Sequence, residues 1–441
     1  MAGARPYSRL LRLCKGFVGA GVALTAACAT VTVASASEKK STIFLSVGAS
    51  GAGKDTLLLK AKERLGKEEC PDVMFIKRHL TREKKTTPLE KAVSTSTFLA
   101  DSVNGMHALE WDAHNTKYAI PSKPVSQAIR AGKSMVMNVS RSIIDAAREL
   151  FGQDAEVMCL HITASKKTLA ERLRRRGRET DEQIEKRLER ASNYNGSVRG
   201  NHVIEIRNEG SIEEGVDMVV GALKGDMQYA LWLVPKKGET FHTEARFQIE
   251  KIAQEKSSHP FEPHVTIGNL FRASQLEAIS IAKVAAEAIE APVRISPTGM
   301  SAEAGTRFRA FVLEASPTYA LRQACCTLRQ ITSQADAKKE RRTVEREVQN
   351  TYKPHLSLLY GEYDAKTLQK LKDEYEPIIG ASYMAAGFKA EELALVQCTV
   401  RSHQCWTEVA RFPIKHSKPP PGTGDNSIRK KRWKGLFSLF S

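Results

Sequence analysis

The sequence predicts two folded units in tandem: an α/β domain, a parallel sheet with helices on both faces, followed by an α+β domain of similar length. Three observations carry that prediction. A glycine-rich loop lies between a short buried strand and a helical run; strand and helix patterns then alternate as far as Leu223; and one seven-residue pattern occurs twice in the second half. The repeat implies that the second domain is two-lobed, with each lobe contributing one copy.

At 441 residues the chain is long enough for two or three domains with cores of their own. A content of 41% hydrophobic and 27% charged residues is that of a globular protein. The formal charge is +17, but residues 1–40 and 416–441 each hold six Lys or Arg against one acid. The tails thus carry ten of the seventeen charges, and a mildly basic body suits anionic small molecules as well as RNA. The eight cysteines show no CxxC and no metal-like spacing, so they read as reduced packing residues rather than a disulfide framework or a zinc site.

Arg5, Arg9, Arg12 and Lys15 precede an uncharged Ala/Gly/Val/Thr-rich stretch from Gly16 to Ser37. Residues 1–40 therefore read as a targeting or anchoring segment: a secretory signal, an organellar presequence or a marginal membrane anchor. No acid precedes Glu38, which favours a mitochondrion-like organelle. At the other end Lys418-Pro419-Pro420-Pro421-Gly422 stops the fold, and Arg429 to Lys434 leads into an apolar end. A solvated tail is the expected reading, with membrane contact through its basic cluster as the alternative.

In the first unit, expected over 41–225, Ile43–Val47 is a strand and Leu57–Leu65 a helical run. Between them Gly48, Ser50, Gly51, Gly53, Lys54, Asp55 and Thr56 form a P-loop. Its glycines let the backbone N–H groups turn inward on the phosphates of ATP, and Lys54 adds a point charge. Asp55 stands where a Ser or Thr normally meets Mg2+, so either its carboxylate or Thr56 is expected to bind the metal. Ser134 to Val139 is the next strand, ending in Asn138 and Ser140 instead of an acid. Strands at Glu156–Thr163 and Val203–Ile206 alternate with helices at Lys166–Arg175, Asp181–Tyr194 and Ser211–Leu223. Arg172, Arg176 and Arg178 flank Gly177, with Arg187 and Arg190 beyond, as in a lid that closes over phosphates.

These motifs, with Arg78-His79-Leu80-Thr81-Arg82, Glu110-Trp111-Asp112-Ala113-His114 and Asn138-Val139-Ser140-Arg141, resemble the ribose 1,5-bisphosphate phosphokinases, relatives of guanylate kinase. Asp55 and the missing strand-end acid are features of that family too. The resemblance implies transfer of a γ-phosphoryl from ATP to ribose 1,5-bisphosphate, giving 5-phosphoribosyl 1-diphosphate. It implies that Lys54 and the loop hold ATP, and that Arg78 and Arg82 hold acceptor phosphate. Arg172, Arg176 and Arg178 would neutralise the transferring group, with Arg187 also on substrate. The stretch Glu83 to Ser96 departs from the family inside the acceptor region.

The second unit, expected over 226–415, opens with the strand Met227–Val234 and carries the repeat. Phe261-Glu262-Pro263-His264-Val265-Thr266-Ile267 returns as Tyr352-Lys353-Pro354-His355-Leu356-Ser357-Leu358. Period-two alternation puts His264 with Thr266, and His355 with Ser357, on one face of each strand. One imidazole would take a proton from water and the other give one to the departing oxygen, while Thr266 and Ser357 hold the phosphoryl oxygens. Tyr352 is expected on substrate, and no metal is needed. His242, His259 and His403 lack the pattern and read as structural. Tyr229-Ala230-Leu231-Trp232, the two motifs and Cys405-Trp406-Thr407-Glu408-Val409-Ala410 resemble the 2H phosphoesterases of the cyclic phosphodiesterase branch.

Joined, the units suggest opening of 5-phosphoribosyl 1,2-cyclic phosphate followed by phosphorylation of the product, with phosphorylated sugars as ligands. RNA end healing, in the manner of fungal-type tRNA ligases, is the alternative; a guanylate-kinase-like nucleotide kinase and a non-catalytic tethered scaffold are the others.

Overall fold

Ile43, Leu45 and Val47 are wholly buried because Thr42–Val47 is the central strand of a five-stranded parallel sheet. The computed structural model describes residues 40–414, apart from 69, 71, 83–86, 114, 178–179, 290–292, 333–340 and 400–401. The segment expected to target or anchor the chain, up to residue 39, the basic tail and Arg178 therefore lie outside the described residues, as do the side chains of Arg190 and Tyr194.

The sheet runs Val73–Ile76, Ser134–Asn138, Thr42–Val47, Glu156–Thr163, Val203–Arg207, every pair parallel. Parallel strands need crossovers, and the helices that make them cover both faces. Leu57, Leu58, Ala61 and Leu65 of helix Lys54–Lys67 recur at helical spacing and are buried. Each buried leucine stabilises the layer by about 1.5–3 kcal/mol. Helix starts are set locally: Thr180 with Gln183 and Ser211 with Glu214 form capping boxes. Gly177, at φ 62°, closes helix Lys166–Arg176, so the glycine among the lid arginines is that helix's C-terminal stop.

An element not anticipated from sequence sits between the second and third strands in chain order. Glu90–Ala92, Arg78–Leu80, Thr116–Pro121 and His107–Ala113 form a separate four-stranded sheet, covered on one side by helix Thr95–Val103. It carries Arg78 towards the end of strand Ser134–Asn138.

The chain leaves the first sheet at Gly225–Asp226, between helix Ile212–Lys224 and strand Met227–Val234. The second sheet has seven strands, in the order Pro297–Ala302, Phe311–Ala315, His355–Leu359, Val265–Ala273, Met227–Val234, Glu392–Gln397, Thr407–Pro413, paired antiparallel. The two halves meet in one continuous sheet, and the two histidine strands are its neighbours at the middle. The edge of the first sheet is covered by the second unit. Gln275 donates to the carbonyls of Asn201 and Val203, both at 2.8 Å, and Gln397 donates to that of Glu205 at 3.2 Å. The hydrophobic core on this side is continuous from Leu57 and Val219 to Tyr229 and Leu231. No described helix is long and apolar enough to cross a membrane, and none of the six described cysteines is in a disulfide.

Candidate active sites

The loop after Val47 turns where only glycine turns easily: Gly48, Gly51 and Gly53 have φ of 151°, 93° and 95°. A Cβ on Gly48 would overlap the Ile162 carbonyl, and one on Gly53 the Asn208 amide. Lys54 folds back over the loop, its Nζ donating to the Gly48 and Ala49 carbonyls at 2.7 and 3.2 Å. Burial pulls its pKa down to about 8; Asp55 opposes this, while Arg78 and Arg176 add to it. At about 8 the ammonium still carries its charge through most of the neutral range, and an anion beside it would favour that charged form further.

Several predicted residues converge here. Asp55 accepts from Asn138 Nδ2 at 2.5 Å. Arg78 donates to the Asn138 carbonyl at 3.3 Å, pairs with Glu90 at 2.6 Å and lies over the Tyr118 ring. Arg187 reaches Ser50 Oγ at 2.9 Å, and Arg176 is near enough to depress Lys54. Arg82 keeps a buried Nε with no hydrogen-bond partner and acts on Glu90 through its charge. Arg172 is placed differently from the expectation that it faces the transferring phosphoryl group. Its guanidinium donates to the carbonyls of Asn208 at 2.8 Å and Ala52 at 3.4 Å, bracing the loop from behind.

Mg2+ is tested by the oxygens on hand. The Asp55 carboxylate and the Asn138 Oδ1, a buried oxygen with no hydrogen-bond partner, are hard donors of the kind this ion takes, and Thr56 is exposed one position on. The donor set fits, with Asn138 joining the residues expected from sequence.

Sequence reading missed Glu90 and Asn208. Glu90 lies in the stretch that departs from the family pattern. Burial raises its pKa, but its hydrogen bonds to Arg78 and Thr87 outweigh that and hold it below the ordinary carboxylate range. Asn208 donates to the Ala52 carbonyl at 2.8 Å across 156 residues of sequence. Asn208→Ala is expected to cost about 0.5–1.5 kcal/mol of stability, as for the loss of one buried hydrogen bond with only the longer one from Arg172 remaining on the Ala52 carbonyl, and to raise KM for ATP. Chemical denaturation alongside ATP titration of initial rates checks this; an unchanged KM would show that the loop does not need the brace.

In the second unit the register decides the site. Val265 pairs with Leu356 in antiparallel strands, so one step either way sets His264 beside Ser357 and Thr266 beside His355. Each hydroxyl thus neighbours the other motif's imidazole. His264 is 3% exposed, stacked on Trp232 at 3.6 Å between centroids, and its Nδ1 donates to the Glu262 carbonyl at 2.6 Å. Its Nε2 meets the Tyr360 hydroxyl at 3.2 Å. Burial drives its pKa down to about 3; the Glu262 carbonyl opposes this and the charge of His355 adds to it.

His355 is less enclosed. Its Nδ1 lies 2.9 Å from the Lys353 carbonyl and 3.1 Å from Arg309 Nη1, and Arg309 is itself paired with Glu303 at 3.0 Å. Burial lowers its pKa, the Lys353 carbonyl raises it and Arg309 lowers it further. Ser357 Oγ donates to the Phe308 carbonyl at 3.3 Å. Phe261, Phe308, Tyr360 and Trp406 pack around this site with ring centroids 4.1–5.5 Å apart, Phe261 stacked on Tyr360 and Phe308 on Trp406, the other two pairs edge-on.

Tyr352 is a correction. Its hydroxyl donates to the Thr266 carbonyl at 3.0 Å and its ring packs on Cys325, Cys326, Val344 and Val348. It braces the first histidine strand rather than touching substrate, because it lies on the helix-covered side. His403, read as structural, packs edge-on against Tyr360 at 5.2 Å and bonds to the His259 carbonyl, so it lies beside the site. Tyr360 and Arg309 lie outside the repeat, and nothing local in the sequence marked either.

Residues 227–412 match the family model of cyclic phosphodiesterase-like proteins. The N-terminal region is 40% identical over 149 residues to the ribose 1,5-bisphosphate phosphokinase PhnN of Bradyrhizobium diazoefficiens, covering 34% of this chain and 72% of the relative. The protein of the same name from Rhizobium etli is 40% identical over 182 residues, with 41% and 87% covered. The chain belongs to the ribose 1,5-bisphosphate phosphokinase family. Among solved structures, E. coli LigT complexed with 3'-AMP is similar at 15% identity and a TM-score of 0.26, covering 44% of this chain and 99% of that one. This phosphokinase therefore carries a cyclic phosphodiesterase domain on the same chain, and is both phosphotransferase and hydrolase.

Proposed function

We propose that the two units catalyse consecutive steps: hydrolysis of a cyclic phosphodiester of ribose 5-phosphate at its 2-oxygen, then phosphorylation of the ribose 1,5-bisphosphate so formed. The observation that carries this is the pairing, on one chain, of a phosphokinase of that family with a two-histidine site. The first product would be the second substrate.

In the second unit His264 acts as base. Its Nδ1 proton is committed to the Glu262 carbonyl, which leaves Nε2 with a lone pair. Tyr360 must release it when water enters. The attacking water gives its proton to His264, its oxygen bonds to phosphorus, and the bond to the 2-oxygen breaks as His355 protonates that oxygen. Thr266 and Ser357 hold the non-bridging oxygens as their charge grows.

In the first unit Lys54, Arg78, Arg176 and the loop amides hold and neutralise phosphate, and Arg187 draws Ser50 and the helix after Thr180 together. Mg2+ bound by Asp55 and Asn138 would neutralise charge on the ATP phosphates.

The assignment has a pH signature. His264 stays neutral across the neutral range, whereas His355 must carry a proton. The pKa of His355 lies below its ordinary value, so kcat/KM falls as pH rises through that lowered pKa. Arg309→Ala removes a cation that lowers it and frees Glu303 to raise it, so the alkaline limb should move to higher pH. A pH–rate profile with no shift, or a downward one, reverses the roles given to the two histidines.

The pathway itself is tested by supplying purified protein with 5-phosphoribosyl 1,2-cyclic phosphate and MgATP and looking for 5-phosphoribosyl 1-diphosphate. Formation of the 2,5-bisphosphate instead breaks the link between the units. The aromatic side chains around His264 favour one second reading, a base-bearing 2',3'-cyclic phosphate, because a nucleobase stacks on such rings. Hydrolysis of a nucleoside 2',3'-cyclic phosphate in preference to the sugar would select it.

A further inference from the structure

Behind the sheet that carries Arg78 lies a cluster that neither reaction uses. Strand alternation sends Arg78 to one face, towards Glu90 and Asn138, and His79 to the other. There His79 meets His107 edge-on, with ring centroids 5.9 Å apart, and helix Thr95–Val103 brings Asp101 alongside. One nitrogen of each ring and one Asp101 oxygen all lie within 4.8 Å of one another.

The state of His107 points to a ligand. Its side chain is 1% exposed, and its Nδ1 lies 2.7 Å from a Glu110 carboxylate oxygen, which fixes the proton on that nitrogen. Nε2 is left with its lone pair inward, buried and without a hydrogen-bond partner, 3.9 Å from Asp101 Oδ2. A buried imidazole nitrogen left unpaired is costly unless something binds it. Nδ1 of His79 is also buried and unpartnered. Ser102 donates to the second oxygen of Glu110 at 3.1 Å, so the carboxylate that orients His107 is itself held.

We propose that His79, His107 and Asp101 form a binding site for Zn2+, with Glu110 as the outer partner that orients His107. Two imidazoles and a carboxylate are ligands that this ion takes, and a carboxylate on the far nitrogen is the usual support for a ligating histidine. Tetrahedral bonds of about 2.0–2.2 Å require ligand atoms about 3.3 Å apart, so side-chain rotations would close the site around the ion. Lys91 lies opposite His79 in the strand register, and the carboxylates of Asp101 and Glu110 offset its charge. The ion would pin helix Thr95–Val103 to the strands on which Arg78 sits. With three protein ligands the fourth position would be left to water, and the site lies in the sheet that carries Arg78, separate from the Asp55 and Asn138 oxygens.

The test uses the full chain stripped with a chelator, titrated with Zn2+ in competition with a chromophoric chelator. One ion per chain is expected. His79→Ala and His107→Ala should each weaken binding by at least about 100-fold, and Glu110→Gln by about 10–100-fold. Because His107 is buried and its loss could unfold the sheet, Asp101→Asn, at a site one-third exposed, provides a milder variant that should also lose affinity. Zn2+ should raise the Tm of the parent chain and not that of Asp101→Asn. Unchanged affinity in Asp101→Asn and Glu110→Gln overturns the proposal. So does loss of binding in His264→Gln/His355→Gln instead, which would place the ion between the phosphodiesterase histidines.

Discussion

His264→Gln is expected to lower kcat/KM for opening of a cyclic phosphodiester by about 10²–10⁴-fold, the range for loss of a positioned acid or base, while ATP-dependent phosphorylation continues. Glutamine is chosen because the ring is buried against Trp232 and bonded at both nitrogens. Alanine there would open a cavity costing about 2–5 kcal/mol, as for other large-to-small core changes, and would confuse unfolding with lost chemistry. Glutamine keeps polar atoms in the site but cannot take the proton. Assaying both activities on one preparation separates the outcomes. Loss of the hydrolase alone assigns His264 to that reaction, loss of both marks a folding defect, and retention of both removes His264 from catalysis.

The second large effect is expected for Lys54→Met. Phosphoryl transfer should fall by about 10²–10³-fold, the range for removing one stabiliser of transition-state charge, with cyclic ester hydrolysis intact. Methionine fills the space of the stem without the ammonium group. The fold should tolerate the change, because the apo site gains little from a cation whose pKa burial has already pulled down to about 8. What is lost is the ammonium charge beside the loop. Initial rates at saturating ATP measure it, and a variant with parent-like kcat would leave the loop amides and Arg78 as the phosphate-neutralising groups.

These two variants also measure how far the residues could be read before the structure. Strand Thr42–Val47, the loop to Thr56 and the two histidine motifs were legible because each is encoded within about ten consecutive residues: glycine spacing, period-two alternation, a repeated Pro-His. Helix ends were legible for the same reason, since Thr180 with Gln183 and Ser211 with Glu214 cap locally. The sheet from Arg78 to Pro121 was not, because three of its four strands are too short or too polar to alternate cleanly. Tyr352 misled because the repeat equates it with Phe261, although its hydroxyl is spent on the Thr266 carbonyl.

The sequence by itself determined which residues could do chemistry on phosphate: Lys54 in its loop, His264 and His355 each with a hydroxyl two positions on. Only the tertiary structure decided how they are equipped. The pairing of Val265 with Leu356 makes two motifs one site, Asn208 reaches the loop from 156 residues away, and Tyr360 meets His264 across 96. Arg309 and Glu90 acquire their tasks the same way. Local patterns set backbone direction and side-chain face, but hydrogen bonds, burial and shifted pKa values arise from neighbours that only the packed sheets bring within a few ångströms.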